Sequence, residues 1–289
     1  VSANGGAGSI NLNGGTNAVA VNANQLKGVV TGTGSTFTVS SGLVGSVLNT
    51  GPIAATSNIA LSSAGNVLIA SDIITSGGNL GVTSGTSAAN QISLLANADL
   101  LASNNVTLTS PNLLLTGGSN TVTATAGDVA LQSNTAGNAL AVSLGSGAQI
   151  NAATVGTGDI FFNPTTAGSI TVTGGAASGV LNAGNTVSFR GGAVAANVNQ
   201  INGRVISNGT NTTASITTAA GDLRVGAYTS NGLTSFTANG VGADIITTGT
   251  ISSGVGNLTL QAGSGADANV AINNAVTSTG ILTVASGGG

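Results

Sequence analysis

Short runs of alternating aliphatic and polar residues, each introduced by Gly, Asn, Asp or Ser, repeat along the whole chain. Typical copies are Gly65–Ile69 (GNVLI), Gly127–Leu131 (GDVAL), Gly168–Val172 (GSITV) and Gly256–Leu260 (GNLTL). Aliphatic residues at positions i and i+2 predict short strands that bury one face. A turn and a short strand repeated from end to end are typical of a chain that winds into a solenoid.

The spacing of these motifs predicts the size of one coil. The turns at residues 8, 34, 57, 78, 104, 127, 158, 184, 221, 256 and 280 lie mostly 21 to 37 residues apart, which suits one coil of a three-sided solenoid. About a dozen coils at about 4.8 Å each would form a rod roughly 60 Å long. We predict an all-β, right-handed parallel β-solenoid, because crossovers between parallel strands favour right-handed winding. A sandwich or barrel also fits the strand spacing, but the chain has only five Phe and one Tyr to fill a sandwich core.

Two stretches depart from the regular pattern. Residues 191–211 are the least regular, which predicts a loop, an irregular coil or a seam between two solenoid sections. Gln91–Ser103 has helical spacing and fits either a short surface helix or a strand through Ile92 and Leu94. Because no linker or change of composition divides the chain, we treat residues 1–289 as a single solenoid segment. The repeat already runs at one end and still runs at the other, so we expect part of a longer chain or a fibre subunit.

The scarcity of charge agrees with stacked coils. Charged residues make up 4% of the chain, against roughly a quarter in ordinary globular domains. Equivalent side chains in stacked strands lie about 4.8 Å apart, where like charges repel. The net charge of −3 argues against nucleic acid or anionic lipid as a partner, and no apolar run reaches the roughly 18 residues of a spanning helix. With so few titratable groups, stability should depend little on pH between about 4 and 10.

The residues needed for most catalytic chemistry are missing. There is no Glu, His or Cys, and Lys27, the single lysine, is expected to be an exposed coil residue. Asp128, Asp159 and Asp222 follow Gly in the turn motif, where Asx side chains accept local backbone hydrogen bonds. The other aspartates stand singly in the sequence and would form an acidic edge only if the coils align them: Asp72, Asp99, Asp244 and Asp267. We predict no catalytic, cofactor-binding or metal-binding residues.

Weaker motifs point to alternative functions. Gly263–Asp267 is a lone fragment of the calcium-binding nonapeptide repeat, which argues against a metal site. Threonine pairs such as Thr121 and Thr123 suggest a flat face that binds ice or glycan. The threonine positions vary between copies, however, which argues against a regular binding face. A glycan-acting enzyme on a parallel β-helix is the competing class. It predicts two or three aspartates converging beside an arginine in a groove.

Several segments resemble a known family of surface proteins. Asp72–Leu80, Gly127–Leu131, Ile251–Ala262 and Val270–Val284 are similar to the β-solenoid shafts of filamentous-haemagglutinin-like adhesins and related two-partner-secretion or autotransporter passengers. The resemblance implies a secreted, surface-attached or matrix protein of bacterial type that acts as a stiff spacer, with receptor binding in a separate module.

The expected function is therefore structural and non-enzymatic. We expect a segment of an extracellular adhesin or fibre that provides a shaft, surface adhesion or matrix cohesion. The expected partners are other copies or neighbouring solenoid segments stacked end to end, and a host or neighbouring cell surface. We expect no cofactor, no nucleic-acid partner and no membrane-spanning segment.

Overall fold

The computed structural model is a stack of short parallel strands that wind as a β-solenoid, as predicted from the sequence. It describes residues 9–13, 19–22, 25–26, 29–33, 36–41, 47–134, 139–163, 168–174 and 178–287, with side chains from residue 37 onward. All strand ladders within these ranges are parallel, and none of these residues forms a helix. In particular, no described helix could cross a membrane. The right-handed winding remains a prediction.

Four faces make up the stack. Face A consists of β1 (Ser9–Asn13), β4 (Val29–Thr33), β7 (Ile53–Ala55), β10 (Ile73–Thr75), β13 (Leu100–Ala102), β16 (Thr121–Ala124) and β19 (Gln149–Ala152). Face B consists of β2 (Val19–Asn22), β5 (Thr36–Ser41), β8 (Asn58–Ser63), β11 (Leu80–Thr83), β14 (Val106–Thr109), β17 (Val129–Gln132), β20 (Ile160–Asn163), β26 (Leu223–Val225), β29 (Ile245–Thr247) and β32 (Val270–Ile272). The long strands β22 (Val180–Phe189) and β24 (Gln200–Ser207) run through both faces.

The other two faces differ in extent. Face C consists of β3 (Gln25–Leu26), β6 (Val47–Thr50), β9 (Asn66–Ile69), β12 (Gln91–Leu94), β15 (Asn112–Leu115), β18 (Leu140–Leu144), β21 (Ile170–Thr173), β23 (Ala193–Val198), β25 (Thr213–Thr218), β28 (Thr234–Ala238), β31 (Leu258–Ser264) and β34 (Leu282–Gly287). Face D consists of β27 (Tyr228–Thr229), β30 (Ile251–Ser252) and β33 (Val276–Thr277). Face C has 12 strands in the described chain, one from each coil, close to the predicted dozen.

The core consists of columns of inward-facing aliphatic and aromatic residues. In β14, Val106 and Leu108 are fully buried, whereas Thr107 and Thr109 between and after them are only partly covered. Strand register then places equivalent residues above one another. One column on face B comprises Leu61, Val82, Leu108, Leu131, Phe162 and Phe189. Its two phenylalanine rings stack with their centroids 4.9 Å apart.

The irregular stretches of sequence both contain ordered strands. Gln91–Ser103 contributes β12 and β13, so the strand interpretation is confirmed and the helix is wrong. Residues 191–211 contain β23 and β24, each paired with the coils on both sides, so an inserted loop at this position is also wrong. The seam interpretation describes this region better. Face A ends at β24, and face D begins in the following coil.

Candidate functional site

Asp and Asn side chains at the corners link each coil to the next. The Asp159 amide N–H donates to Asp128 Oδ1 at 2.9 Å, and the Asp128 amide N–H donates to Asn105 Oδ1 at 2.8 Å. Equivalent bonds join Asp99 to Asp72 at 3.0 Å and Asp244 to Asp222 at 3.1 Å. The turn positions of Asp128, Asp159 and Asp222 were predicted, but the local hydrogen bonds expected for their side chains are wrong. The donor lies one coil away, because the side chain points along the stack.

Stacking brings the aspartates into pairs that their sequence positions conceal. Six of the seven aspartates form the stacked pairs Asp72/Asp99, Asp128/Asp159 and Asp222/Asp244. The seventh, Asp267 of the calcium-like fragment, is exposed in a turn. Across the described chain, no group of three or more acidic, His or Cys side chains could hold a metal ion.

Two arginines also lie above one another. Arg204 and Arg224 are register partners in β24 and β26, and both side chains are exposed. Arg204 Nη2 donates to Asn185 Oδ1 at 2.8 Å, whereas Arg224 has no hydrogen-bond partner or ion pair among the described residues. Arg190 is exposed just after β22, and Lys27 lies outside the described residues. Like charges in register on neighbouring strands repel, so this arginine pair, like the three stacked aspartate pairs, departs from the expected avoidance of stacked charge.

A cleft of about 350 Å³ lies above the last strand of face A. One wall is the start of β24, with Gln200, Ile201, Asn202 and Gly203. The opposite wall belongs to the next coil, with Gly221, Asp222 and Arg224. On this side of β24 only Arg204 and Val205 pair with a described strand, so the segment 200–203 is left without a strand above it.

Two glycines with positive φ shape this cleft. Gly203 has a φ of 113° and Gly221 has a φ of 71°. Residues with a Cβ rarely adopt these backbone angles. A Cβ on Gly221 would lie 3.0 Å from Gln200 Nε2, at the mobile end of that side chain, so the positive φ is the stronger reason for glycine here. No motif in the sequence predicts this cleft. The one signal that could have located it is the loss of regular strand motifs within residues 191–221.

The described residues show little of the geometry that an ice-binding face or a glycan-acting enzyme would need. Thr123 stacks between Leu101 and Asn151, so this described column is not a uniform threonine rank of the kind an ice-binding face requires. Of the Asp222/Asp244 pair, Asp222 lines the cleft with Arg224 and Asp244 does not. Asp222 Oδ1 already accepts the Asp244 amide N–H.

The C-terminal end face is apolar. It is formed by Ile272, Val276, Leu282 and Val284 in the last coil. Leu282 and Val284 are 44% and 45% exposed, although their register partners one coil below, Leu258 and Leu260, are fully buried. Core-type side chains therefore form the last layer of the described residues.

Comparison with known proteins gives no relative. Neither protein-family models, nor characterised proteins, nor solved structures match the chain. The fold and the geometry described above are therefore the basis for the functional argument.

Proposed function

We propose that this chain is a non-enzymatic structural segment of an extracellular adhesin or fibre, in which it serves as a stiff shaft. The observation that supports the proposal best is the run of parallel ladders, which extends from β1 to β34 around columns of buried aliphatic residues. Such a stack transmits force along its axis through the backbone bonds between coils. A shaft needs length and stiffness rather than convergent acid and base groups.

Self-association through the ends is part of this proposal. The C-terminal end face exposes Leu282 and Val284, and no described strand pairs with the outer edge of β34. Open strand edges beside apolar side chains favour the addition of a further strand. A second copy of this chain or a neighbouring solenoid segment, stacked end to end, would cover both the edge and the side chains.

Length and association can be measured together. Twelve stacked strands on face C predict a particle roughly 55 Å long in X-ray scattering from a dilute sample. Sedimentation of more concentrated protein should show longer particles of unchanged width. A compact sphere in dilute solution would contradict the shaft, and a monomer at every concentration would contradict end-to-end association.

Two matched leucine variants test whether the end face mediates association. Leu282→Lys places a charge on the end face, whereas Leu233→Lys places the same charge at a leucine that is 59% exposed on the side of the stack. We expect the first variant to remain monomeric and the second to associate like the unmodified chain. Equal association of both variants would show that copies meet through another surface.

The proposed location and adhesive role need a test on cells. An antibody raised against the folded chain should label intact source cells or their matrix without permeabilisation. Purified chain should also coat a surface and increase the retention of neighbouring cells. Labelling only after permeabilisation would contradict the extracellular role.

A further inference from the structure

A row of side-chain amides on face A ends at the cleft. Asn151 Nδ2 donates to Thr123 Oγ1 at 3.1 Å, and Asn182 Nδ2 donates to Asn151 Oδ1 at 2.7 Å. Asn202 Nδ2 continues the row by donating to Asn182 Oδ1. These four residues are register partners in successive coils, so every amide points its donor towards the coil below.

The last acceptor of this row is left open. Asn202 Oδ1 has no hydrogen-bond donor among the described residues, because face A ends at β24 and no strand covers its first half. Asp222 lies across the cleft, and its Oδ1 accepts from Asp244 whereas no described group donates to its Oδ2. Neither of these two oxygens accepts a hydrogen bond from a described group, so both are available to a ligand in the cleft.

A cation also lines the cleft, on the same wall as the Asp222 carboxylate. Arg224 lines the cleft, stacks in register with Arg204, and has no ion pair among the described residues. An anion bound there would relieve the repulsion between the two guanidinium groups. Guanidinium pairs with carboxylates through short, charge-assisted hydrogen bonds.

We propose that the cleft between Asn202 and Arg224 binds a carboxylated sugar, with the carboxylate on Arg224 and the hydroxyl groups on Asn202 and Asp222. This combination follows from the lining groups. Apart from Ile201, whose side chain is buried in the core, the cleft presents amide, carboxylate, guanidinium and backbone groups. A hydroxyl-rich ligand with one anionic group matches those donors and acceptors. The cleft volume of about 350 Å³ lies at the lower end of the range for small-ligand sites.

Two other ligand classes fit less well. A peptide strand added to β24 would pair with only three extended residues before Gly203, whose φ of 113° leaves the strand conformation. A nucleic acid would bring several phosphates to a cleft with one lining cation and an aspartate beside it. The carboxylated sugar does not depend on the proposed shaft function, since the cleft lies on the side of the stack.

The test is a titration of the full chain observed by amide NMR. Galacturonic acid and its trimer serve as probes, with galactose and its trimer as neutral counterparts and acetate as a bare carboxylate. We expect the uronates to shift the amide signals of Asn202, Gly203 and Gly221. The neutral sugars and acetate should bind at least about tenfold more weakly, because each lacks half of the complementary groups.

Matched variants assign the contacts. Arg224→Gln removes the guanidinium in the cleft, whereas Arg190→Gln makes the same change of charge at an exposed position that does not line the cleft. We expect the first to weaken uronate binding roughly tenfold or more, as for the loss of a charge-assisted hydrogen bond, and the second to leave it unchanged. Asn202→Leu should likewise weaken binding while amide signals outside the cleft keep their positions.

Three results would overturn the proposal. One is the absence of shifts at the cleft with any uronate, and another is equal binding of acetate and uronate, which would show an anion site without sugar recognition. The third is an equal loss of binding in Arg190→Gln and Arg224→Gln, which would show attraction by net charge alone. None of these results would change the measured length or association of the rod, so the two proposals fail separately.

Discussion

At the scale of single residues, the Asx side chains at the corners act as ties between coils. Asp159 Oδ1 accepts three hydrogen bonds. The donors are the Thr186 amide N–H at 2.9 Å, Thr186 Oγ1 at 2.7 Å and Asn185 Nδ2 at 3.0 Å. All three donors lie in the next coil, and Thr186 is buried. Removing the acceptor would therefore leave buried donors without a partner.

We predict that Asp159→Ala lowers the free energy of unfolding by about 1–3 kcal/mol, the cost of leaving a buried donor unsatisfied. Asp159→Asn retains a side-chain oxygen and should lose less than half as much. Asp267→Ala is the control, because that side chain is exposed and tied to no neighbouring coil by any described bond. Urea denaturation followed by circular dichroism compares the three variants. Equal urea midpoints for Asp159→Ala and Asp267→Ala would contradict a stabilising role of the hydrogen bonds that Asp159 accepts from the next coil.

Tyr228 combines complete burial with an unpaired hydroxyl. Its ring packs edge-on against Phe236 with centroids 5.0 Å apart, and its hydroxyl has no hydrogen-bond partner among the described residues. Burial raises the pKa of Tyr228 well above its usual value of about 10. As the pH rises above about 10, the unfolded chain therefore loses this proton before the folded chain does, and the free energy of unfolding falls.

We predict that Tyr228→Phe removes this alkaline loss of stability. Below pH 9 the variant should be as stable as the unmodified chain or more stable by up to about 1 kcal/mol, because the hydroxyl contributes no hydrogen bond within the protein. Thermal denaturation from pH 7 to 11 makes the comparison. Since the chain has a single tyrosine, its absorbance reports ionisation directly. Ionisation near pH 10 without unfolding would show that the ring is accessible to solvent and would contradict the packing.

At the scale of the strand, alternation determines which residues stabilise the stack. In β15, Leu113 and Leu115 face the core and are buried, whereas Leu114 between them faces outward and is half-buried. Leu113 has Ile92 below it and Val142 above it in the same column. The two adjacent leucines thus differ in environment although they share residue type and strand.

We predict that Leu113→Ala lowers the free energy of unfolding by about 2–5 kcal/mol, because it opens a cavity between packed coils. Leu114→Ala, its matched control, should cost less than about 1 kcal/mol. Urea midpoints of the two variants test the difference. A larger effect at Leu114 would mean that the strand has the opposite face inward and would contradict the register of face C.

The alternation at Leu113 is local, and it could therefore be predicted from the sequence. The stacking of Asp72 on Asp99 could not, because coil length varies: stacked partners lie 31 residues apart at Asp128 and Asp159 but 20 apart at Asn182 and Asn202. Without a fixed period, sequence spacing does not reveal which side chains become neighbours. The cleft is harder still to predict, since it depends on the end of one ladder in three dimensions.

At the scale of the whole molecule, the solenoid changes its cross-section once. Up to β24 the coils use faces A, B and C, and from β26 onward they use faces B, D and C. Faces B and C continue through the change, and the column of Val187, Val205 and Val225 passes through it. The neighbouring column ends there, because the register partner of Phe189 in β24 is Ser207. The cleft is located at the point where the third side moves from one position in the coil to another.

Because each coil contacts only its neighbours, local stability should decrease towards an uncovered end. We predict that amide hydrogens of β34, which no described strand covers on its outer edge, exchange at least about tenfold faster than those of β14 and β17, which have coils on both sides. Those of β31, one coil further in, should exchange at an intermediate rate. Hydrogen exchange measured by mass spectrometry on dilute protein tests this gradient.

Raising the concentration should then slow exchange in β34 of the unmodified chain, because a second copy covers the end face, but not in Leu282→Lys. Equal protection of all coils at low concentration would show that the stack opens as one cooperative unit, and it would remove the uncovered end as a source of local instability.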